Sequence, residues 1–129
     1  MAKKNVPKKI LIVEDERSLM QVLADRLALE GFNVIKAYDG QEGLDSARKE
    51  MPDLILLDLI MPVMDGMTML EEMRKDDCCK IIPAIVLTNL IDKEQVAKAL
   101  SAGSYDYLVK TDWKIEDIII KIKVKLNLK

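Results

Sequence analysis

The chain has 129 residues, of which 50% are hydrophobic and 33% charged, with a formal net charge of −2. That is one domain by size, with ample apolar content for a core, and it excludes both a disordered chain and a membrane-embedded one. The lysines and arginines are scattered apart from Lys3-Lys4, Lys8-Lys9 and a C-terminal group at Lys121, Lys123, Lys125 and Lys129, so no basic face advertises nucleic-acid binding.

Short apolar runs alternate with amphipathic segments. Residues 9–13 read as a buried strand. Residues 18–30 carry Leu19, Val22, Leu23 and Leu27 at helical spacing, with Gly31 just past the end. Asn33–Ala37 reads as a second strand. Asp39-Gly40 marks a turn, with Asp39 set to cap a helix through Glu50, and Pro52 stops that helix from running on. Asp53–Leu59 is the third strand. Met61-Pro62 opens a loop, and Asp65-Gly66 precedes a helix bearing Met69, Leu70 and Met73. Pro83 opens a fourth strand, Ala84–Leu87. A fourth helix has Val96, Ala99 and Leu100 inward and Gly103 at its end. Tyr105–Val109 is a fifth strand, and Thr111 or Asp112 is expected to cap a fifth helix with Ile115, Ile118, Ile119 and Ile122. Its tail, Ile122 to Leu126, alternates with period two, which weakens the helical pattern there. Met61, Met64, Met67, Met69 and Met73 read as core and loop filling.

Five strands alternating with five helices predict an α/β fold, a doubly wound parallel sheet covered on both faces. Ligands of such sheets bind beyond the carboxyl ends of the strands. The chain is read as one domain over residues 1–129, with no output domain after the last helix. Met1-Ala2-Lys3-Lys4 lacks a following apolar h-region, so no signal peptide is expected. Adjacent Cys78 and Cys79 have no CxxC spacing, which reads as reduced thiols of a cytoplasmic protein. The chain contains no histidine, which excludes Ser-His-Asp and Cys-His catalysis and imidazole metal ligands.

The polar residues at strand ends form the informative set. Leu54-Ile55-Leu56-Leu57 ends in Asp58, and Ile10-Leu11-Ile12-Val13 ends in Glu14-Asp15-Glu16. Burying an unpaired carboxylate is costly, so packing alone does not account for two core strands that finish in acid. Strand four ends in Thr88 and strand five in Lys110. Placed side by side, these groups converge on one rim and suit phosphoryl transfer. Carboxylates hold Mg2+ with waters and a carbonyl, and the metal and a lysine neutralise phosphoryl oxygens. Glu14, Asp15 and Asp58 supply three negative charges, which Mg2+ and Lys110 balance. Each member also has a plainer reading. Asp15 or Glu16 suits the cap of the first helix, Thr88 an ordinary strand end and Lys110 a solvated charge. Asp58, flanked by Leu57 and Leu59, is the hardest to dismiss.

In order along the chain, Ile10-Leu11-Ile12-Val13-Glu14-Asp15-Glu16, Leu56-Leu57-Asp58-Leu59-Ile60-Met61-Pro62 with Asp65-Gly66, Leu87-Thr88 and Gly103-Ser104-Tyr105-Asp106-Tyr107-Leu108-Val109-Lys110 carry a resemblance. The chain resembles the receiver domain of two-component response regulators (CheY-like, flavodoxin-like strand order 2-1-3-4-5) over roughly residues 8–128. The resemblance implies that Asp58 is the phosphoacceptor, taking phosphoryl from a histidine of a partner kinase or phosphotransfer protein. It implies that Asp15, with Glu14 directly or through water, binds Mg2+, with the backbone carbonyl of Ile60 as a further ligand. Thr88 and Lys110 would contact the phosphoryl group, and Thr88 and Tyr107 would act as the switch. The implied product is a cytoplasmic signalling module. It is not an enzyme beyond its own phosphorylation and dephosphorylation. It would bind a downstream protein through the fourth helix, fifth strand and fifth helix, including Lys98, Tyr105 and Tyr107, with no direct contact to nucleic acid or membrane.

Three departures from the family pattern stand out. Thr111 replaces the proline that usually follows the lysine through a cis bond. A cis non-proline bond costs about 3–4 kcal/mol, so a trans bond and a rebuilt loop are expected. Asn89 stands where the family favours a very small residue. Ile60 and Leu90 are apolar where many relatives are polar, which predicts poorly oriented attacking water and a long-lived aspartyl phosphate.

Three other classes compete. A Mg2+-dependent phosphohydrolase of haloacid dehalogenase type needs a second aspartate at the position of Ile60. A flavodoxin-like cofactor binder needs a phosphate loop where Glu14-Asp15-Glu16 stands. A pseudo-receiver that is never phosphorylated would not need all five site residues.

Overall fold

The computed structural model describes residues 7–58, 64, 66–77, 79–88, 106–109 and 114–128. Five parallel strands form one sheet: β1 (Lys9–Val13), β2 (Asn33–Ala37), β3 (Leu54–Asp58), β4 (Ala84–Thr88) and β5 (Asp106–Val109), in the order β2-β1-β3-β4-β5. Four helices are described: α1 (Arg17–Leu29), α2 (Gly40–Glu50), α3 (Gly66–Lys75) and α4 (Ile115–Lys125). The α4 segment is the fifth of the predicted helices. The predicted fourth helix, with Val96, Ala99, Leu100 and Gly103, lies outside the described residues.

The strands are apolar on both faces because both faces are covered. Leu11, Val13, Ile55, Leu57, Ala84 and Val86 pack with Leu44 of α2 and Met69, Leu70 and Met73 of α3. The alternate residues Ile10, Ile12, Leu54, Leu56, Ile85 and Leu87 pack with Met20, Leu23 and Leu27 of α1 and Ile118, Ile119 and Ile122 of α4. Full burial of each such side chain stabilises by about 1.5–3 kcal/mol. Met64 and Met67 pack partly buried against the first of these clusters, as core and loop filling. Cys79 is a thiol buried in that cluster.

Most predicted boundaries hold to within a residue or two, and three local expectations are corrected. Val22 is 55% exposed; the buried stripe of α1 is Met20, Leu23, Ala24 and Leu27. That stripe follows i, i+3, i+4, i+7 spacing; it keeps the predicted Leu23 and Leu27, with Leu19 partly buried beside it, and has Met20 and Ala24 in place of Val22. The N-cap of α1 is Glu16, whose side chain makes no capping hydrogen bond, so neither acid of the pair Asp15-Glu16 does the work of a cap. The N-cap of α4 is Lys114 rather than Thr111 or Asp112, and the Asp117 carboxylate accepts the Lys114 backbone N–H at 2.9 Å. The tail of α4 stays helical through Lys125 because Ile118, Ile119 and Ile122 are buried together, leaving Val124 outside.

Other expectations hold in detail. Asp39 accepts from the Glu42 amide at 2.9 Å, and Gly31 lies past the α1 C-cap at φ 96°, the left-handed conformation that glycine adopts freely. Pro52 follows Met51, which ends α2 at φ 48°. Ion pairs tie α1 to α4: Arg26 to Glu116 at 3.0 Å and Lys123 to Glu30 at 2.9 Å.

Gly40, the first residue of α2, donates its N–H to the Met64 carbonyl at 2.8 Å, which pins the chain returning from β3 towards α3. A Cβ at Gly40 would strike that carbonyl. Gly40→Ala is therefore expected to destabilise by about 2 kcal/mol, as overpacking against backbone does, measured by urea unfolding.

The Glu30 carboxyl is held below its ordinary 4.5, first by the hydrogen bond from Lys123 and next by its charge. A carboxyl depressed on folding stabilises above its unfolded pKa and loses that contribution as pH falls through the folded one. Glu30→Gln should lower stability at neutral pH, by an amount that shrinks in high salt and vanishes well below pH 4.5, as read from unfolding midpoints across pH.

Candidate functional site

The register of the sheet brings the acids together. Val13 of β1 pairs with Leu57 of β3, so Glu14, one step further, comes level with Asp58. Glu14 continues the ladder on its other side, where its N–H donates to the Ala37 carbonyl of β2 at 3.0 Å. Both acids share the parity of Ile12 and Leu56, the residues turned towards α1 and α4. The result is a pair of carboxylates with little water around them: Glu14 is 1% exposed and Asp58 6%. Asp15 stands beside them in solvent.

One ligand oxygen from each of Glu14, Asp15 and Asp58 lies within 4.8 Å of the others. Oxygen donors on an octahedral Mg2+ at about 2.1 Å stand about 3.0 Å apart in cis and about 4.2 Å in trans. The triad therefore fits a hard divalent cation with small adjustment, and its donors, all carboxylate oxygens, are the type Mg2+ prefers. The second Glu14 oxygen accepts the Glu16 amide at 3.1 Å, which fixes the turn from β1 into α1. Among the described residues this is the metal-competent cluster of acids, and it is formed from the residues singled out in the sequence.

The remaining predicted members fall unevenly. Thr88 ends β4 beside Val109 of β5, so its backbone stands on the same rim one strand beyond β3. Tyr107 is in β5, paired with Val86. Lys110 follows Val109 directly in the sequence but lies outside the described residues, as do Ile60, Asn89, Leu90, Lys98, Tyr105 and the Lys110–Thr111 bond. One pair at this rim was not singled out from the sequence. The Arg17 guanidinium stacks over the Tyr38 ring, 4.4 Å from its centroid. Arg17 opens α1 and Tyr38 follows β2, twenty-one positions apart, so no local spacing signals the contact.

Comparison with known proteins agrees with this geometry. A family model described as response regulator receiver domain matches residues 10–123. "Response regulator ArlR" of Staphylococcus aureus is 37% identical over 118 residues, covering 92% of this chain and 52% of that protein. "Probable transcriptional regulator ycf27" of Porphyridium aerugineum is 41% identical over 102 residues, covering 79% of this chain and 41% of that protein. The chain thus spans about half or less of the length of these relatives. A CheY-like receiver domain protein from Methanospirillum hungatei JF-1 superposes with TM-score 0.88 at 31% identity, covering 95% of each chain. The CheX–CheY–BeF3–Mg+2 complex from Borrelia burgdorferi gives TM-score 0.85 at 27% identity, covering 94% of this chain and 90% of that one.

Three like charges gathered at a half-dry rim repel one another. Asp58→Asn should raise the stability of the metal-free protein by about 1 kcal/mol, measured by urea unfolding in chelator. Added Mg2+ should raise the melting temperature of the wild type much more than that of the variant.

Proposed function

The chain belongs to the response regulator receiver family, and we propose that it is a phosphorylation-controlled signalling module of a two-component system, with Asp58 as its phosphoacceptor. The observation that carries this reading is the Glu14, Asp15 and Asp58 triad at the ends of β1 and β3. Members of the family are signalling modules rather than metabolic enzymes. A single receiver domain over residues 1–129, acting in the cytoplasm, is part of the proposal.

In the proposed reaction a carboxylate oxygen of Asp58 attacks the phosphorus of a phosphohistidine on a partner kinase or phosphotransfer protein. A P–O bond forms to Asp58 and the P–N bond breaks, its electron pair remaining on the ring nitrogen; the other ring nitrogen carries a proton, so the leaving group is a neutral imidazole. Bound at Glu14 and Asp15, with Asp58 and the carbonyl of Ile60, Mg2+ would neutralise phosphoryl oxygens. A structural neighbour is a complex of CheX and CheY with BeF3 and Mg+2, which supports reading the triad this way. Glu14, buried and hydrogen-bonded to the Glu16 amide, holds the turn that presents Asp15. Burial keeps bulk water from the nucleophile, so its charge is not screened. Lys110 balances the added charge, and the Thr88 hydroxyl moves to the phosphoryl group. That shift, followed by Tyr107, passes the change to the surface of β5, α4 and the segment before β5, where a downstream protein binds.

Incubating the protein with acetyl phosphate or phosphoramidate and Mg2+, then measuring intact mass, tests this. The expected result is a gain of one phosphoryl group that is absent in Asp58→Asn and blocked by chelator. A wild type that takes up nothing sinks the proposal in favour of a pseudo-receiver, and turnover of free phosphate esters would point to a phosphohydrolase.

A further inference from the structure

The acid triad presents a phosphoryl donor with a difficulty: donor and acceptor are both anionic. The predicted counter-charge, Lys110, follows β5, on the β4 side of Asp58 in the strand order. The opposite flank, at β2, is occupied by Arg17 and Tyr38. We propose that Arg17, held on the Tyr38 ring, is a donor-steering and specificity-determining residue, which draws the doubly charged phosphoryl group of an incoming donor to Asp58 from the β2 side. This rests on the receiver reading given above.

Four observations place it. Tyr38 directly follows Ala37, whose carbonyl receives the Glu14 N–H, so the ring stands one residue from the acid site along the rim. The ring is held in turn: its backbone N–H donates to Glu42 at 3.0 Å and its side chain packs against the core. Arg17 is exposed, and among the described residues it rests on the ring and forms no ion pair, although Glu14, Asp15 and Glu16 immediately precede it. A guanidinium resting over a ring engages it through charge rather than through conventional hydrogen bonds, so N–H groups remain available, and these can read phosphoryl oxygens in pairs. Finally, Arg17 is the first residue of α1, whose first turn holds no acid. A cation there opposes the helix dipole, so helix stability does not explain the choice of residue.

The roles of the two residues differ. Arg17 supplies the charge. Tyr38 is a positioning residue, and its part is the flat apolar face that restrains a long side chain otherwise free to sample solvent.

The test measures second-order phosphorylation rates on the whole chain with Mg2+, using two small donors. Acetyl phosphate carries two negative charges at neutral pH and phosphoramidate one. Arg17→Gln should slow labelling by acetyl phosphate about fivefold at low salt and by phosphoramidate clearly less, and should flatten the salt dependence of the acetyl phosphate rate. Tyr38→Leu should lose the same preference, and Tyr38→Phe should keep it. The Mg2+-induced rise in melting temperature should be unchanged in Arg17→Gln. Equal rates in wild type and Arg17→Gln, or equal slowing for both donors, would overturn the proposal while leaving the receiver reading intact. A wild type labelled by neither donor would overturn both.

Discussion

The structure turns on two carboxylates buried at the ends of neighbouring strands. Glu14 and Asp58 are held level by the β1–β3 register, at 1% and 6% exposure, with Asp15 beside them. One oxygen of each of the three acids lies within 4.8 Å of the others, and like charges that close in a poorly hydrated place repel one another. A fold whose net stability is about 5–15 kcal/mol carries such a cluster only if the strands behind it are strongly held. They are: Ile10 to Val13 and Leu54 to Leu57 are all buried, packed on one side by α1 and α4 and on the other by α2 and α3. The uniform apolarity of these two strands and the acidity at their ends are complementary parts of one arrangement.

The geometry of a parallel sheet does the rest. All strands present their carboxyl ends to one rim, so residues far apart in sequence meet there without any local motif. The rim is also asymmetric. On the β2 side Tyr38 follows Ala37, the residue bonded to the Glu14 amide, and carries Arg17 over its ring; on the other side stand the backbones of Thr88 and Val109. The acid cluster thus has two flanks of different composition, each drawn from a different pair of elements. Asp58 itself comes from the middle strand of the five, which is buried along its whole length.

Much of this was legible in the sequence because the signals were either strongly periodic or chemically expensive. Continuous apolar strands gave the parallel sheet, and acids ending such strands gave the triad, since burial makes their cost visible even before the partner strand is known. The errors were local. Val22 and Met20 both fit a helical stripe within the tolerance of a single turn, and only the angle at which α1 meets the sheet decides between them. The cap of α4 falls at Lys114 rather than at Thr111 or Asp112, and Glu16 stands at the N-cap of α1 without capping through its side chain. Capping propensity favours Asp, Ser and Thr, yet the chain enters α1 with Glu16 and α4 with Lys114. Carboxylates at Glu14 and Asp117 satisfy nearby amides instead. The Arg17–Tyr38 contact had no sequence signal at all, because cation–aromatic pairs across elements carry no fixed spacing.

The same cluster that weakens the fold makes it responsive. Repulsion among Glu14, Asp15 and Asp58 is a free energy that any cation entering the site relieves, so ligand affinity and folded-state tension are linked quantities. Greater separation of the acids, or fuller exposure of all three, would lower the tension and weaken the hold on a metal. Deeper burial of Asp15 would raise it, since a buried charge costs free energy unless it is paired. The observed compromise leaves Glu14 and Asp58 dry and Asp15 wet. A phosphoryl group on Asp58 would alter the charge at the point where two core layers and three strands meet. A change in balance there need not travel far, since β1 leads from Glu14 through a single turn into α1.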